Sequence, residues 1–112
     1  MNHYFLIILL LLSVHFVADF LLQNDWMAVN KSKHWGALSL HVLVYSLAFI
    51  WLGWQFALIT FVLHFIIDAI TSRCTRALYY PVFHRHWFFA VIGFDQLLHA
   101  YQLILTYNYL IK

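Results

Sequence analysis

The sequence carries very little charge. Only 9% of its 112 residues are charged, whereas 65% are hydrophobic; a soluble domain has about 25% charged and about 45–50% apolar residues. So few charged side chains cannot cover a water-facing surface, which excludes an ordinary soluble domain. The net charge of +2 is also too small for the phosphate contacts of a nucleic-acid-binding protein. We therefore predict an integral membrane protein whose first partner is the lipid bilayer.

Other absences narrow the class further. The single cysteine, Cys74, excludes an internal disulfide. The N-terminal apolar run has no basic residue ahead of it and no small-x-small cleavage site after it, so we expect a membrane span rather than a signal peptide. The single proline, Pro81, predicts a break in helical structure. No arrangement of residues suggests a nucleophilic serine or cysteine, so any hydrolysis is expected to use water.

Four apolar segments have about the 20 residues that a membrane-spanning helix needs. We predict an all-α, integral membrane four-helix bundle that forms a single domain over residues 1–112, with helices at about 4–23, 35–52, 56–72 and 88–110. The first and third helices share a His-x-x-x-Asp pattern at an offset of 49 residues. This similarity suggests two duplicated helical hairpins.

The basic residues predict the orientation. Of the connections between helices, only the first and the third contain lysine or arginine: Lys31, Lys33, Arg73, Arg76 and Arg85. The opposite side has only Lys112. By the positive-inside rule, the protein is multi-pass in the inner (cytoplasmic) membrane, with the first and third connections in the cytoplasm and both termini outside.

The candidate site comes from paired histidines and aspartates. The spacing of four residues recurs in His15–Asp19, His64–Asp68 and, reversed, Asp95–His99, and such residues share one face of a helix. The chain has no glutamate, and three of its four acidic residues lie in these pairs. Because alternate helices run in opposite directions, the pairs and a lone histidine are expected at one depth, facing the cytoplasm. The predicted metal ligands are His15, Asp19, His41, His64, Asp68, Asp95 and His99.

Charge favours a metal site. An aspartate deep in a span costs about 2.5–3.5 kcal/mol, so three cost roughly 8–10 kcal/mol. No lysine or arginine is expected at that depth, which leaves protons or metal ions to neutralise them. Two divalent ions and one bridging hydroxide would balance three aspartates. Imidazole and carboxylate suit zinc first, with manganese or iron as alternatives.

Other polar residues have secondary roles. Gln23, Ser72 and Gln102 lie on the same helix faces and are predicted to orient the ligands, although one such residue alone is more often a helix–helix hydrogen bond. Lys31, Arg73 and Arg85 are predicted at a cytoplasmic mouth that attracts an anionic substrate. The remaining histidines are expected at the membrane interface: His3, His34, His84 and His86.

The order of these residues also resembles a known family. The chain resembles small bacterial and phage membrane proteins that carry only a domain-of-unknown-function label. The resemblance lies in the run from His15 to Gln23, followed by Lys31, His41 and the two later pairs. This resemblance spans essentially the whole chain and implies a four-helix membrane fold without an activity. A weaker similarity is to small inner-membrane proteins described as metal-dependent hydrolases, and through them to helical zinc phospholipases, whose extra N-terminal ligands this chain lacks.

The first functional hypothesis is a membrane-embedded metal-dependent hydrolase. Its substrate would be a phosphoester or an anionic, lipid-linked phosphate at the cytoplasmic leaflet, and Asp19, Asp68 and Asp95 would be the catalytic carboxylates at a two-metal site. The alternatives are a zinc-like metal or proton transporter, which would need a homodimer, and a non-enzymatic membrane subunit. Haem binding ranks last because it does not explain the aspartates.

Overall fold

A computed structural model of the protein describes residues 2–111, and Lys112, used above to predict orientation, lies outside them. The described residues contain no β-strand. They form five α-helices: α1 His3–Phe16, α2 Asp25–Asn30, α3 Trp35–Leu47, α4 Trp54–Tyr79 and α5 Arg85–Leu110. A π-helical segment follows α1, and a 3₁₀ turn follows α3. The predicted all-helical class is confirmed, but the predicted four helices become five.

The first helix changes its winding where its aspartate lies. Asn2 caps α1, because its side chain accepts a hydrogen bond from the Phe5 backbone at 2.7 Å. After Phe16 the chain continues as a π-helical segment, Val17–Leu21, closed by a bond of 2.9 Å from the Leu22 amide to the Val17 carbonyl. Such wide turns often occur at functional sites. The helical segment ends at Leu21, two residues before the predicted end.

The additional helix, α2, lies in the segment that we expected to be a loop. Asn24 caps it by accepting a hydrogen bond from the Met27 amide at 2.9 Å, and Asp25 lies in its first turn. Both features favour a helix N-terminus. The apolar pattern did not show this helix because it has only six residues, which is less than two turns.

The third helix is shorter than predicted. It ends at Leu47, and Ile50–Leu52 forms a separate 3₁₀ turn before Gly53 reverses the chain with a φ of 107°. A residue other than glycine would be strained in this conformation. Three helical segments, at 3–21, 54–79 and 85–110, are long and apolar enough to cross a membrane, whereas the 13 residues of α3 are not.

The fourth helix is longer than predicted, since it runs to Tyr79 rather than Ser72. The arginines after Ser72 mark the expected edge of a membrane span, but arginine is a good helix former and does not end a helix. The helix ends where Tyr80 becomes extended, just before Pro81, as expected for a residue that precedes proline.

The helices pack with their polar side chains inside. The long helices α4 and α5 pair along their length, α3 packs on α4, and α1 packs on α5. Among the described residues, thirteen buried side chains are polar or charged and eleven are hydrophobic, while large apolar side chains such as Leu21 and Leu105 are each 67% exposed. One half of the interior is an apolar core that includes Leu11, Phe49 and Phe56. The other half holds the candidate site.

Candidate metal centre

All seven predicted ligands lie together in the interior. The first helical segment supplies His15 and Asp19, α3 supplies His41, α4 supplies His64 and Asp68, and α5 supplies Asp95 and His99. Each of the seven residues is at most 7% exposed. We call this group the His/Asp cluster; its members are His15, Asp19, His41, His64, Asp68, Asp95 and His99.

Four members of the cluster point their ligand atoms at one another. Nε2 of His41 lies 3.0 Å from Asp19 Oδ1 and 3.3 Å from Asp68 Oδ2. Nε2 of His64 lies 3.8 Å and 3.7 Å from the same two oxygens, and 3.4 Å from Nε2 of His41. We call these four residues the quartet. The Asp19 Oδ1 atom is buried and accepts no hydrogen bond.

These distances are close to those between the ligands of a metal ion. Zinc bonds of about 2.0–2.1 Å to nitrogen and oxygen place neighbouring ligand atoms of a tetrahedron about 3.3–3.4 Å apart. The five distances that involve a histidine nitrogen run from 3.0 to 3.8 Å and so bracket that value. Two imidazole nitrogens and two carboxylate oxygens are also suitable ligands for a first-row divalent ion.

A second group shares an aspartate with the quartet. Asp19, Asp95 and His99 each offer a ligand atom, and these atoms lie within 4.8 Å of one another. Nε2 of His99 is 3.0 Å from Asp95 Oδ1, yet neither nitrogen of this fully buried ring makes a hydrogen bond. The His99 ring stacks on the His64 ring at 3.9 Å between centroids. Since Asp19 belongs to both groups, it is the residue placed to bridge two ions.

His15 contacts a polar side chain through each nitrogen of its ring. Its Nδ1 atom accepts from the Tyr45 hydroxyl at 2.7 Å, and its Nε2 atom donates to Gln96 Oε1 at 2.7 Å. Both nitrogens are engaged in this structure, and the role of His15 as a metal ligand stays a prediction. The Gln96 amide donates in turn to Asp19 at 3.3 Å and to Asp95 at 3.1 Å. Through Gln96, His15 orients two carboxylates.

Lys31 contradicts the expectation that no basic residue lies at the depth of the aspartates. Its ammonium group is 3.2 Å from both carboxylate oxygens of Asp68, and its side chain is 18% exposed. Lys31 is the residue after α2. The apolar pattern did not predict this short helix, which places the Lys31 side chain towards the interior. A long flexible side chain can place its charge well away from its own backbone.

The three residues predicted to orient the ligands contact other groups. Gln102 donates to Thr60 at 3.2 Å and to Thr106 at 3.0 Å, one turn away from the His/Asp cluster. Ser72 receives only a long contact of 3.5 Å from Arg73. Gln23 follows the π-helical segment, outside α1, and its side-chain oxygen is buried without a hydrogen bond. Among the described residues, none of the three bonds to the cluster.

Two adjacent cavities lie beside the cluster. The inner cavity has a volume of about 190 Å³ and is lined by all three aspartates together with Gln23, Lys31 and Gln96. The basic cavity has a volume of about 360 Å³ and is lined by Lys31, Lys33 and Arg76. Of the predicted mouth residues, Lys31 lines both. Arg73 instead lies over the Trp35 ring at 4.0 Å, and Arg85 is exposed and lines neither cavity.

The structure adds three residues to the site. Gln96 links His15 to the aspartates, Tyr45 holds His15, and the Thr71 hydroxyl donates to Asp95. Tyr45 is four residues after His41 and Thr71 is three after Asp68, spacings that place each on the same face as its neighbour. Gln96 is three residues before His99, so the same spacing rule places it beside a member of the cluster.

The comparisons with known proteins give one match. A family model described as a protein of unknown function, DUF3307, matches residues 6–112. No curated protein and no solved structure matches the chain.

Proposed function

We propose that this chain, which belongs to the DUF3307 family of proteins of unknown function, is a membrane-embedded metal-dependent hydrolase. Its substrate would be a phosphoester, lipid-linked and presented at the cytoplasmic leaflet. The observation that carries the proposal is the quartet, in which two imidazole nitrogens lie 3.0–3.8 Å from each other and from two carboxylate oxygens in a buried site. A divalent ion bound there would coordinate both imidazoles and neutralise the two carboxylates.

Several features support a membrane location. Three helical segments are long and apolar enough to span a bilayer, and the longest dimension of the molecule is 47 Å, against about 40–45 Å for a bilayer with its headgroups. Apolar side chains cover the outside. By the positive-inside rule, Lys31, Lys33 and Arg76 would face the cytoplasm. Because Lys31 and Arg76 line the same cavity, the chain between them would have to cross the bilayer twice. The short segment 35–52 would then be a fourth crossing, and both termini would lie on the outer side of the inner membrane.

The charge of the site supports one resident divalent ion. Three aspartates carry −3, and Lys31, paired with Asp68, reduces this to −2. One divalent ion in the quartet would therefore neutralise the site with neutral histidines. A second ion at Asp19, Asp95 and His99 would leave an excess of positive charge, which an anionic substrate and a hydroxide would balance. Occupation of the second position is thus expected to accompany substrate binding.

The chemistry follows from this arrangement. Divalent ions at such a site activate water and polarise a phosphoryl oxygen. The aspartates line the inner cavity, so the water and the scissile phosphoester would meet their oxygens directly. The Lys31 ammonium group lies in the same cavity and is placed to attract the phosphate. Gln96 and Thr71 fix Asp95 by hydrogen bonds, which keeps its free lone pairs aimed at the site.

The apolar core counts against a transporter. A transporter needs a path on both sides of its binding site. Away from the cavities, the His/Asp cluster is closed by side chains with 0% exposure: Leu11, Tyr45, Phe49, Phe56 and Leu103. Lys31 lines both cavities, and Lys33 and Arg76 line the outer one, so access is expected from the side of the basic residues. A site with access from one side suits an enzyme that takes its substrate from one leaflet.

Elemental analysis of the purified protein tests the proposal. We expect at least one zinc, manganese or iron ion per chain, and we expect His41→Ala and Asp68→Asn to lose it, because each removes a quartet ligand. Activity towards a lipid-linked phosphoester should disappear with a chelator and return with the metal. The matched control is Asp25→Asn, since Asp25 is the one aspartate outside the cluster and is exposed.

A stoichiometric metal content in Asp25→Asn but not in the quartet variants would support the site. Wild-type protein without bound metal, even after incubation with each of the three ions, would refute it. Metal binding without phosphoester hydrolysis would keep the metal site and refute the hydrolase.

A further inference from the structure

We propose that the basic cavity binds the anionic phosphate headgroup of an amphiphile and presents it to the His/Asp cluster. The assignment of this amphiphile as the substrate rests on the hydrolase proposed above, whereas binding of the headgroup does not. The cavity has a volume of about 360 Å³, within the range of about 300–1,000 Å³ for small-molecule sites.

The wall of the basic cavity has one sign of charge. Lys31, Lys33 and Arg76 line it, and none of its lining residues is acidic. Lys31 is already paired with Asp68. Among the described residues, the Lys33 and Arg76 side chains have no ion-pair partner, and both are exposed. Two unpaired cations and the hydroxyls of Ser32 and Thr75 are the groups that bind a phosphate.

The rest of the wall is apolar and aromatic. Tyr79, Tyr80, Phe88 and Val29 also line the basic cavity, and Tyr80 and Val29 are 63% and 59% exposed. Aromatic side chains in this position are typical of the boundary between headgroups and acyl chains. A charged pocket with an apolar, outward-facing rim suits a ligand with a phosphate at one end and a hydrocarbon chain at the other, better than it suits a free anion.

The two cavities are adjacent. Lys31, Ser72 and Thr75 line both of them. A phosphate held by Lys33 and Arg76 would therefore lie next to Lys31, on the path to Asp68. The Lys31 ammonium group can follow the phosphate or remain with Asp68. This juxtaposition is what would let a lipid headgroup reach ligand atoms that are buried inside the protein.

Native mass spectrometry of the full chain in detergent, with a chelator present, tests the binding step alone. The probes are phosphatidylglycerol, phosphatidylcholine and inorganic phosphate. We expect tighter binding of phosphatidylglycerol than of phosphatidylcholine. The affinity for phosphatidylglycerol should fall about fivefold in Lys33→Gln or Arg76→Gln and about 25-fold in the double variant, because each basic residue near a membrane surface contributes about 1 kcal/mol. The control Arg85→Gln removes an equal charge outside both cavities and should change binding less than twofold.

Each other outcome overturns a defined part of the proposal. An equal loss in Arg85→Gln would show general attraction to basic residues and would refute the cavity. If inorganic phosphate binds and phosphatidylglycerol does not, the claim that the ligand is an amphiphile is refuted. If the double variant binds phosphatidylglycerol as the wild type does, the whole inference fails. Because metal is absent, these results are independent of the metal content that tests the hydrolase. With metal present, a raised KM and unchanged metal content in the double variant would identify the bound lipid as substrate; unchanged KM would refute that assignment.

Discussion

Replacement of Gln96 by methionine is expected to weaken metal binding without removing a ligand. The Gln96 amide donates to Asp19 at 3.3 Å and to Asp95 at 3.1 Å, and its oxygen accepts from His15 at 2.7 Å. Methionine has a similar length and no hydrogen-bond donor, so both carboxylates lose the group that orients them. Loss of such a partner typically reduces metal affinity about 10–100-fold, or about 1.4–2.8 kcal/mol.

The test also decides the role of His15. If His15 acts only through Gln96, then His15→Phe and Gln96→Met remove the same interaction, and the double variant should bind metal no more weakly than the weaker of the two single variants. A titration against a chromophoric chelator measures the three affinities. The control is Gln102→Met on the same helix, which breaks the bonds to Thr60 and Thr106 and should leave the affinity within twofold of wild type.

Two results would refute this reasoning. If His15→Phe alone lowers the number of ions per chain, His15 is a ligand, and its bonds to Tyr45 and Gln96 belong only to the empty site. If the effects of the two single variants add fully in the double variant, the two side chains act separately. A large affinity loss in Gln102→Met would show that any buried polar defect in α5 disturbs the site.

Two further predictions follow. Lys31→Met removes the cation that pairs with both oxygens of Asp68 and leaves His41 and His64 as its neighbours. Because removal of one partner of a buried ion pair costs up to about 3–5 kcal/mol, we expect the metal-free variant to unfold at a lower denaturant concentration, with added metal restoring much of the loss. Equal stability without metal would show that Asp68 does not need the Lys31 cation. Cys74 is exposed and is the only cysteine. A membrane-impermeant maleimide should therefore label it in inverted membrane vesicles and not in intact spheroplasts. The opposite labelling pattern would reverse the proposed orientation.

Membership of the His/Asp cluster could be predicted from the sequence because it depends on simple periodicity. His64 and Asp68 share a face of α4, and Asp95 and His99 share a face of α5, as residues four apart must in any regular helix. The alternation of helix direction then places the pairs at one depth. Neither step needs the packing of side chains, and the structure brings all seven residues together as the pattern indicated.

The contacts within the site could not be predicted in the same way. Whether His15 faces a metal or Gln96 depends on the rotation of α1 against α5, which hydrophobic periodicity does not fix in a helix that is apolar on all sides. Lys31 was misjudged because membrane depth was assigned from backbone position, whereas its side chain reaches Asp68 across several ångströms. The end of α4 was misjudged because arginine limits a membrane span and not a helix.

The π-helical segment differs from the predicted regular helix and also shapes the site. A regular α-helix would continue the stripe from His15 through Asp19 to Gln23, as the spacing predicted. The wider turn at Val17–Leu21 interrupts that stripe at the one aspartate that belongs to both candidate ion positions. The Asp19 side chain reaches His41 of α3 through Oδ1 and Gln96 of α5 through Oδ2, so it links two other helices. Since irregular backbone costs free energy and persists where the surrounding contacts favour it, the local winding of this segment is best explained by the position that Asp19 must take between the two groups.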